Sequence, residues 1–413
     1  MTERLYFTQS YQQDFTARVI AVQEIDGKQM IQLDRTCFYP TSGGQAFDTG
    51  TLADLPVCDV FVDDEGTLQH VVTVPEDEHG QLPTAGAVVA GKIDWPRRHD
   101  HMQQHSGQHL LSQVFFQQCG AETVAVHFGE TDATIDLAVA DLSPAQIESV
   151  EEQANALIYA ALPIHAYAVD EQTLSTIPLR RPPKVTGTIR IVEIDRYDYS
   201  ACGGTHVRTT AEIGPLKITK MERRRNQTRV TFLCGMRAYR DYGEKHRLIT
   251  EAATLFSNEI QQVPTLITRN LALLKEKDRA LEEAQRALLT YEAQTLVAEA
   301  RMLGSVRLVQ HTAQGQEVTL LKTLATQLQS YAQVVALLAS TEDEKVTLCF
   351  SCDPTLTTES KLNMGQLLRT VLQPHGGKGG GKADFAQGGG ISPTELPAIF
   401  IAAEQSLKEL LHN

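Results

Sequence analysis

Two histidines one helical turn apart, in His105-Ser-Gly-Gln-His109, are followed almost a hundred residues later by Cys202-Gly-Gly-Thr-His206. On a helix, i, i+4 spacing stacks two imidazoles on one face. Imidazole nitrogens and a thiolate together make a donor set suited to Zn2+. The ligands of a small zinc finger lie close together in sequence, so this separation calls for a folded domain that joins the two halves. A lone histidine is more often a hydrogen-bonded core or surface residue; the pair with its Cys-x-x-x-His turn points to a metal or catalytic cluster. If all four residues coordinate, the site is closed and structural. If water holds one position, Zn2+ lowers its pKa toward ~7 and makes a nucleophile at neutral pH. The residues leave both arrangements open. His99 and His101 are weaker candidates, His101 on the same helix face, and a solvated surface position suits them equally.

Other stretches could touch a substrate. In Phe38-Tyr-Pro-Thr-Ser-Gly-Gly-Gln45, a tight glycine turn would set Thr41, Ser42 and Gln45 where hydroxyl and amide groups meet a small polar ligand; the plainer reading is a hairpin loop. Gly376-x-x-x-x-Gly381-Lys382 imitates a phosphate loop, but Ala383 replaces the Mg2+-holding Ser or Thr, and a helix rather than a strand precedes it. That makes an ATPase reading a poor one and leaves Lys378 and Lys382 in a glycine-rich loop suited to a nucleic-acid phosphate. The net charge of −14 argues against binding nucleic acid through the whole surface. It leaves room for local basic patches at Arg97-Arg98, at Arg180-Arg181 with Lys184, and from Lys217 to Arg225, which includes Arg223 and Arg224. Seven cysteines without regular spacing form no disulfide framework. Cys37, Cys58, Cys119 and Cys234 read as small buried side chains, and Cys349-x-x-Cys352 as part of a strand.

The elements that must position these groups follow from periodicity. Residues 1–90 alternate short β-type runs with Gly, Pro and Asp breaks, which predicts a small barrel. A capping box at Asp100 and Gln103 predicts a helix with Leu110, Leu111, Val114 and Phe115 as its buried stripe and the histidines on a separate face. Ser143-Pro144 opens a second helix to about residue 161, and strands are expected at 188–195, near 217–220 and at 229–233. Residues 91–245 thus read as an α+β domain. Residues 246–304 read as a helical arm broken at Pro264, with a heptad-like rhythm of Ile267, Leu271, Leu274, Leu281 and Leu288 interrupted by Asp278. Residues 305–413 read as an α/β domain with strands at 305–310, 333–340 and 345–352, helices near 317–330 and 360–373, and a last helix from the capping box at Ser392 through Leu411. The fold class is α+β. With no apolar run of ~20 residues and no basic or apolar leader at Met1, the expectation is a cytoplasmic protein without a membrane partner.

Four of these stretches, Phe38–Gln45, His105-x-x-x-His109, Cys202-Gly-Gly-Thr-His206 and the glycine-rich run, together resemble alanyl-tRNA synthetase beyond its aminoacylation half. Their order and the Gln-His-Leu-Leu context are similar to the free-standing alanyl-tRNA editing proteins of the long form, over essentially the whole chain. Only 37 residues precede Phe38, so no aminoacylation core and no amino-acid activation are expected. The resemblance implies hydrolysis of the ester in tRNA(Ala) mischarged with serine or glycine. It implies His105, His109, Cys202 and His206 as Zn2+ ligands, with His105, His109, Cys202, Gln45 and Thr41 in the catalytic site and Thr41 sensing the serine hydroxyl. The C-terminal domain or the arm would support a homodimer and hold tRNA; Lys382 stands where relatives often carry Arg, which keeps charge but loses bidentate contacts. The competing readings are a non-catalytic tRNA-binding protein with a structural zinc and a metallo-hydrolase for free small esters or amides.

Overall fold

Phe15, Ala17 and Val19 point inward from a strand whose alternate residues face solvent, and that period-two pattern begins a closed barrel. The computed structural model describes residues 2–74, 82–183, 186–342 and 344–412. The barrel strands are β1 (Asp14–Ile25), β2 (Lys28–Leu33), β3 (Gly50–Leu52), β4 (Leu55–Val62), β5 (Leu68–Val72) and β6 (Val88–Ile93). They close in the order β1-β2-β5-β4-β3-β6, every pair antiparallel. Between β2 and β3, buried Phe38 and Tyr39 anchor a loop that ends in a tight turn. Ser42 and Gln45 exchange backbone hydrogen bonds of 3.1 and 2.9 Å across Gly43 and Gly44, at φ 58° and 88°. Two consecutive left-handed residues suit glycine, and the turn aims Gln45 inward.

The helix expected to open at Asp100 begins five residues earlier. It is α1 (Trp95–Cys119), capped by the Asp94 carboxylate on Arg97 N–H, with Pro96 in its first turn. Asp100 instead takes a bidentate bond from Arg237. The apolar stripe lies where its spacing places it, but α1 is buried nearly all round from Met102 to Phe115. It is enclosed by β7 (Thr123–Phe128), β8 (Ala133–Leu137), α2 (Pro144–Tyr159), β9 (Ile164–Val169), β10 (Ile189–Ile194), β11 (Asp198–Ala201), β12 (Leu216–Arg224) and β13 (Gln227–Cys234). These strands form two antiparallel sheets, β12-β13-β8-β7 and β9-β10-β11. Gly107 lets β13 approach, since a Cβ there would lie 2.3 Å from Cys234 Sγ. Ser143 caps α2 with Pro144 in the first turn, and Gln146 completes a capping box with it. With α3 (Met236–Leu255), these elements make the first of two compact units, Met1–Leu255.

The second unit, Phe256–Asn413, opens with the long α4 (Val263–Ala298), so the stretch 246–304 is shared between the units. Its strands are β14 (Arg301–Leu303), β15 (Val306–Gln314), β16 (Val334–Glu342), β17 (Lys345–Cys352), β18 (Lys378–Gly381) and β19 (Phe385–Gly389), ordered β14-β15-β16-β17-β19-β18. Only β15 and β16 run parallel. In β16, Val335, Leu337 and Ala339 join one core while Val334, Ala336 and Leu338 join the other, so the apolar run is continuous because both faces are covered. One face carries α5 (Val318–Leu328) and the end of α4; the other carries α6 (Met364–Leu372) and α7 (Leu396–His412). The glycine run expected as a loop is instead the hairpin β18–β19. A Cβ on Gly379 or Gly388 would stand 2.8 or 2.6 Å from Leu372 Cδ1, so the glycines let α6 lie directly on bare backbone.

Candidate functional site

α1 and the turn after β11 meet at a single point. The ligand atoms of His105, His109, Cys202 and His206 all lie within 4.8 Å of one another, although 92 residues lie between the nearest members of the two pairs, His109 and Cys202. Cys202 Sγ is 3.4 Å from His105 Nε2 and 3.4 Å from His206 Nε2. A tetrahedral cation with bonds of ~2.0–2.3 Å separates neighbouring ligand atoms by roughly 3.5 Å, so the spacing fits a bound metal.

Each imidazole has its other nitrogen engaged or faced. His105 Nδ1 donates to Gln45 Oε1 at 2.9 Å. Gln45 Oε1 also accepts from Thr205 N–H at 3.2 Å, and its amide donates to Thr205 Oγ1 at 2.8 Å. His206 Nδ1 is 3.0 Å from Ser106 Oγ, which also accepts from Val207 N–H. His109 Nδ1 faces the buried Asp198 carboxylate at 3.5 Å, at the outer edge of hydrogen-bond distance. Asp198 itself is held by Ser200 Oγ at 2.9 Å and Arg180 Nε at 3.1 Å. Outer partners of this kind orient metal-binding histidines and fix their tautomer.

The turn is shaped to make room. A Cβ on Gly204 would fall 2.2 Å from His105 Cε1 and 3.1 Å from Gln45 Oε1. Arg190 Nη1 ties the turn by donating to the carbonyls of Cys202 and Gly204, both at 2.9 Å. Burial opposes the Cys202 thiolate, but the three imidazoles outweigh it and hold the thiol well below its usual pKa. Burial likewise opposes the charged form of His109, yet the Cys202 thiolate and Asp198 lift its pKa to about 9. His206 is pushed down to about 3 by burial and by His105. A divalent cation takes thiolate sulfur and deprotonated imidazole nitrogen, so the depressed Cys202 thiol favours metal binding while a cation would have to displace the proton that His109 holds at neutral pH.

Two clefts reach the cluster. One, of about 460 Å³, is lined by His109, Cys202, Gly203, Arg180, Arg181 and Arg190 among others. The second, of about 520 Å³, is lined by Phe7, Tyr11, Arg190, His206 and Arg208 among others.

The remaining expected residues are not among the four ligand-type side chains of the cluster. Thr41 is exposed ahead of the glycine turn, with its backbone N–H on Val60 O at 3.0 Å. Arg223 and Arg224 are exposed at the end of β12, and Lys378 and Lys382 on the hairpin of the second unit. Within the Lys217–Arg225 run, Lys217 and Lys220 pair with Glu151 and Glu222 at 2.6 and 3.0 Å. Arg98 is not a surface charge: it is wholly buried against Asp48. Arg181 is 3.8 Å from Glu122, and Lys184 lies outside the described residues. His101 has a buried Nδ1 without a hydrogen-bond partner, and burial pushes its pKa down to about 4. Cys58 is exposed and Cys119 half-buried, against the expectation for both. Sequence reasoning missed Asp198, Ser106, Arg190 and Arg208; the signal for two of them was proximity, since Ser106 sits inside the histidine pair and Asp198 four residues before Cys202.

Family models match two segments: the Threonyl and Alanyl tRNA synthetase second additional domain over residues 189–230 and the DHHA1 domain over 306–409. The alanyl-tRNA editing protein AlaX-L of Pyrococcus horikoshii is 27% identical over 395 residues, 94% of each chain. The alanine–tRNA ligase of Methanothrix thermoacetophila is 29% identical over 99% of this chain, which spans only 45% of that enzyme. Among solved structures, the C-Ala domain of Aquifex aeolicus alanyl-tRNA synthetase is 29% identical over 28% of this chain and 98% of its own, with a TM-score of 0.25. No helix among the described residues is long and apolar enough to cross a membrane. The chain is thus a relative, over nearly its whole length, of the free-standing alanyl-tRNA editing proteins of the long form, and with them of the editing and C-terminal portions of alanyl-tRNA synthetase.

Proposed function

We propose that this protein is a zinc-dependent trans-editing deacylase that hydrolyses the ester of tRNA(Ala) mischarged with serine or glycine. One observation carries the reading: a convergent His105, His109, Cys202 and His206 cluster, bordered by clefts, in a chain related to alanyl-tRNA editing proteins. When bound, Zn2+ supplies a positive charge that polarises an ester carbonyl or its attacking water. The chain's own residues do the rest. Cys202 and the imidazoles hold the ion's place, while Gln45, whose polar atoms are taken by His105 and Thr205, keeps the His105 ring in its orientation. We assign to Thr41 the reading of the serine hydroxyl. A site that hydrogen-bonds a hydroxyl can reject the analogue lacking it by orders of magnitude, which is the discrimination against alanine that editing needs. An aminoacyl ester is already activated, so positioning and oxyanion stabilisation suffice. Lys378, Lys382, Arg223 and Arg224 are assigned to the RNA backbone.

One observation favours a second reading. Four protein ligands fill a tetrahedron, as structural zinc sites do, which fits a tRNA-binding protein whose metal only holds the fold. Single-turnover assays with Ser-, Gly- and Ala-charged tRNA(Ala), alongside metal analysis, separate the two. Deacylation of Ser-tRNA(Ala) with Ala-tRNA spared is expected, and Gly-tRNA(Ala), which offers Thr41 no hydroxyl, should be deacylated more slowly than the serine substrate. Cys202→Ala should lower the rate by more than the roughly 10–100-fold typical of outer partners. A fully metallated protein that leaves Ser-tRNA(Ala) intact would establish the structural reading instead.

A further inference from the structure

We propose that the cleft beside His206 receives the phosphodiester next to the terminal nucleoside of the RNA, with Arg208 as its phosphate contact. This rests on the editing function proposed above and assigns it a subsite. Arg208 lies two residues beyond the candidate ligand His206, and two extended residues span at most roughly 7 Å, about the reach of one nucleotide.

The guanidinium of Arg208 stacks on the Tyr11 ring with its carbon 3.9 Å from the ring centre. Tyr11 is itself fixed. Its hydroxyl donates to the Glu212 carboxylate and accepts from Arg208 N–H at 3.1 Å, and its ring rests 5.2 Å from that of Trp95. Stacking leaves the N–H edge of a guanidinium free, and that fork matches phosphate oxygens bidentately. Among the described residues no carboxylate comes within ion-pair distance of Arg208. The nearby Glu212 is engaged by the tyrosine hydroxyl.

The other arginines around the cluster are committed. Arg180 is ion-paired with Asp198, Arg190 holds the Cys202–Gly204 turn, and Arg181 faces Glu122. In a chain of net charge −14, an exposed, preorganised and unpaired arginine at the mouth of a cleft that backs onto a metal cluster is placed for an anion. The same cleft offers the Phe7 ring, which Arg190 already overlies at 5.4 Å.

The test is equilibrium binding of uncharged tRNA(Ala) to the full-length protein across a salt series, for the native chain, Arg208→Gln, Arg208→Lys and Arg181→Gln. Arg208→Gln should weaken binding roughly tenfold at low salt and reduce the slope of log K against log salt by about one. Arg208→Lys should restore the slope but not all of the affinity. Metal content should not change in any variant. Hydrolysis of 3′-seryl-adenosine, which lacks the phosphodiester, should respond equally in native and Arg208→Gln protein. An unchanged slope in Arg208→Gln overturns the proposal, and a slope lost in Arg181→Gln instead puts the phosphodiester in the other cleft. Because binding of uncharged tRNA needs no catalysis, a protein that binds with this signature but never deacylates fails the editing function while keeping the phosphate site.

Discussion

The Asp198 carboxylate is fully buried, and its partners are His109, Arg180 and Ser200. A buried carboxylate facing the far nitrogen of a metal-binding imidazole fixes which nitrogen is presented and raises its basicity. Asp198→Asn keeps the shape and removes the charge, so the protein should fold while binding its metal roughly 10–100-fold more weakly. Competition against a chromogenic chelator measures this, and an unchanged affinity would show that His109 is held by packing alone. The four metal-type residues were legible in the sequence because their chemistry lies in residue type and in two local spacings. Asp198 and Ser106 were not, because what a carboxylate or hydroxyl bonds to is decided by tertiary placement. Gln45 was legible as a member of the site but not in its contacts: the sequence offered an amide to a substrate, whereas the fold turns that amide onto His105 and Thr205.

At the scale of elements, α1 must hold a constant distance from the barrel loop that supplies Gln45, and a buried ion pair sets it. Arg98, one turn inside α1, donates to Asp48 in the loop after Gln45 and to the carbonyls of Cys37 and Ser10. Both charged side chains are fully inaccessible to water. Asp48→Ala leaves a guanidinium uncompensated in the interior and should destabilise the first unit by about 3–5 kcal/mol. Chemical denaturation of native and variant protein checks this; a loss below about 1 kcal/mol would mean that Arg98 finds water or another acceptor. The sequence showed Arg97-Arg98 only as a basic pair, since burial of an arginine leaves no local signature. The start of α1 was misplaced for a related reason: Asp100 and Gln103 satisfy a capping pattern, but Asp94 followed by Trp95-Pro96 caps the helix, and Asp100 is drawn to Arg237. The glycine run shows a third form of the same limit. Its composition reads as a loop, yet the flexibility is used to seat Leu372 against two strands, a demand that only the partner helix reveals.

At the scale of the whole molecule, two compact units have separate cores, and the metal-type cluster belongs to the first alone. A ligand that binds only the folded state stabilises the unit that binds it, by about 4 kcal/mol when it is present at ~1,000 times its dissociation constant. For a unit the size of Met1–Leu255 each kcal/mol moves the midpoint by roughly 2–4 °C. Scanning calorimetry of the metallated full-length protein should therefore resolve two transitions. Saturating chelator should lower one of them by roughly 8–16 °C and leave the other in place. The direction follows from mass action: chelation removes a ligand of the native state, and every ligand of the cluster lies between His105 and His206. Limited proteolysis at the lowered midpoint should cut within the first unit while residues beyond Phe256 stay protected. If both transitions fell together the two units would be one cooperative body in solution, and if neither moved the four side chains would hold no metal that matters to the fold.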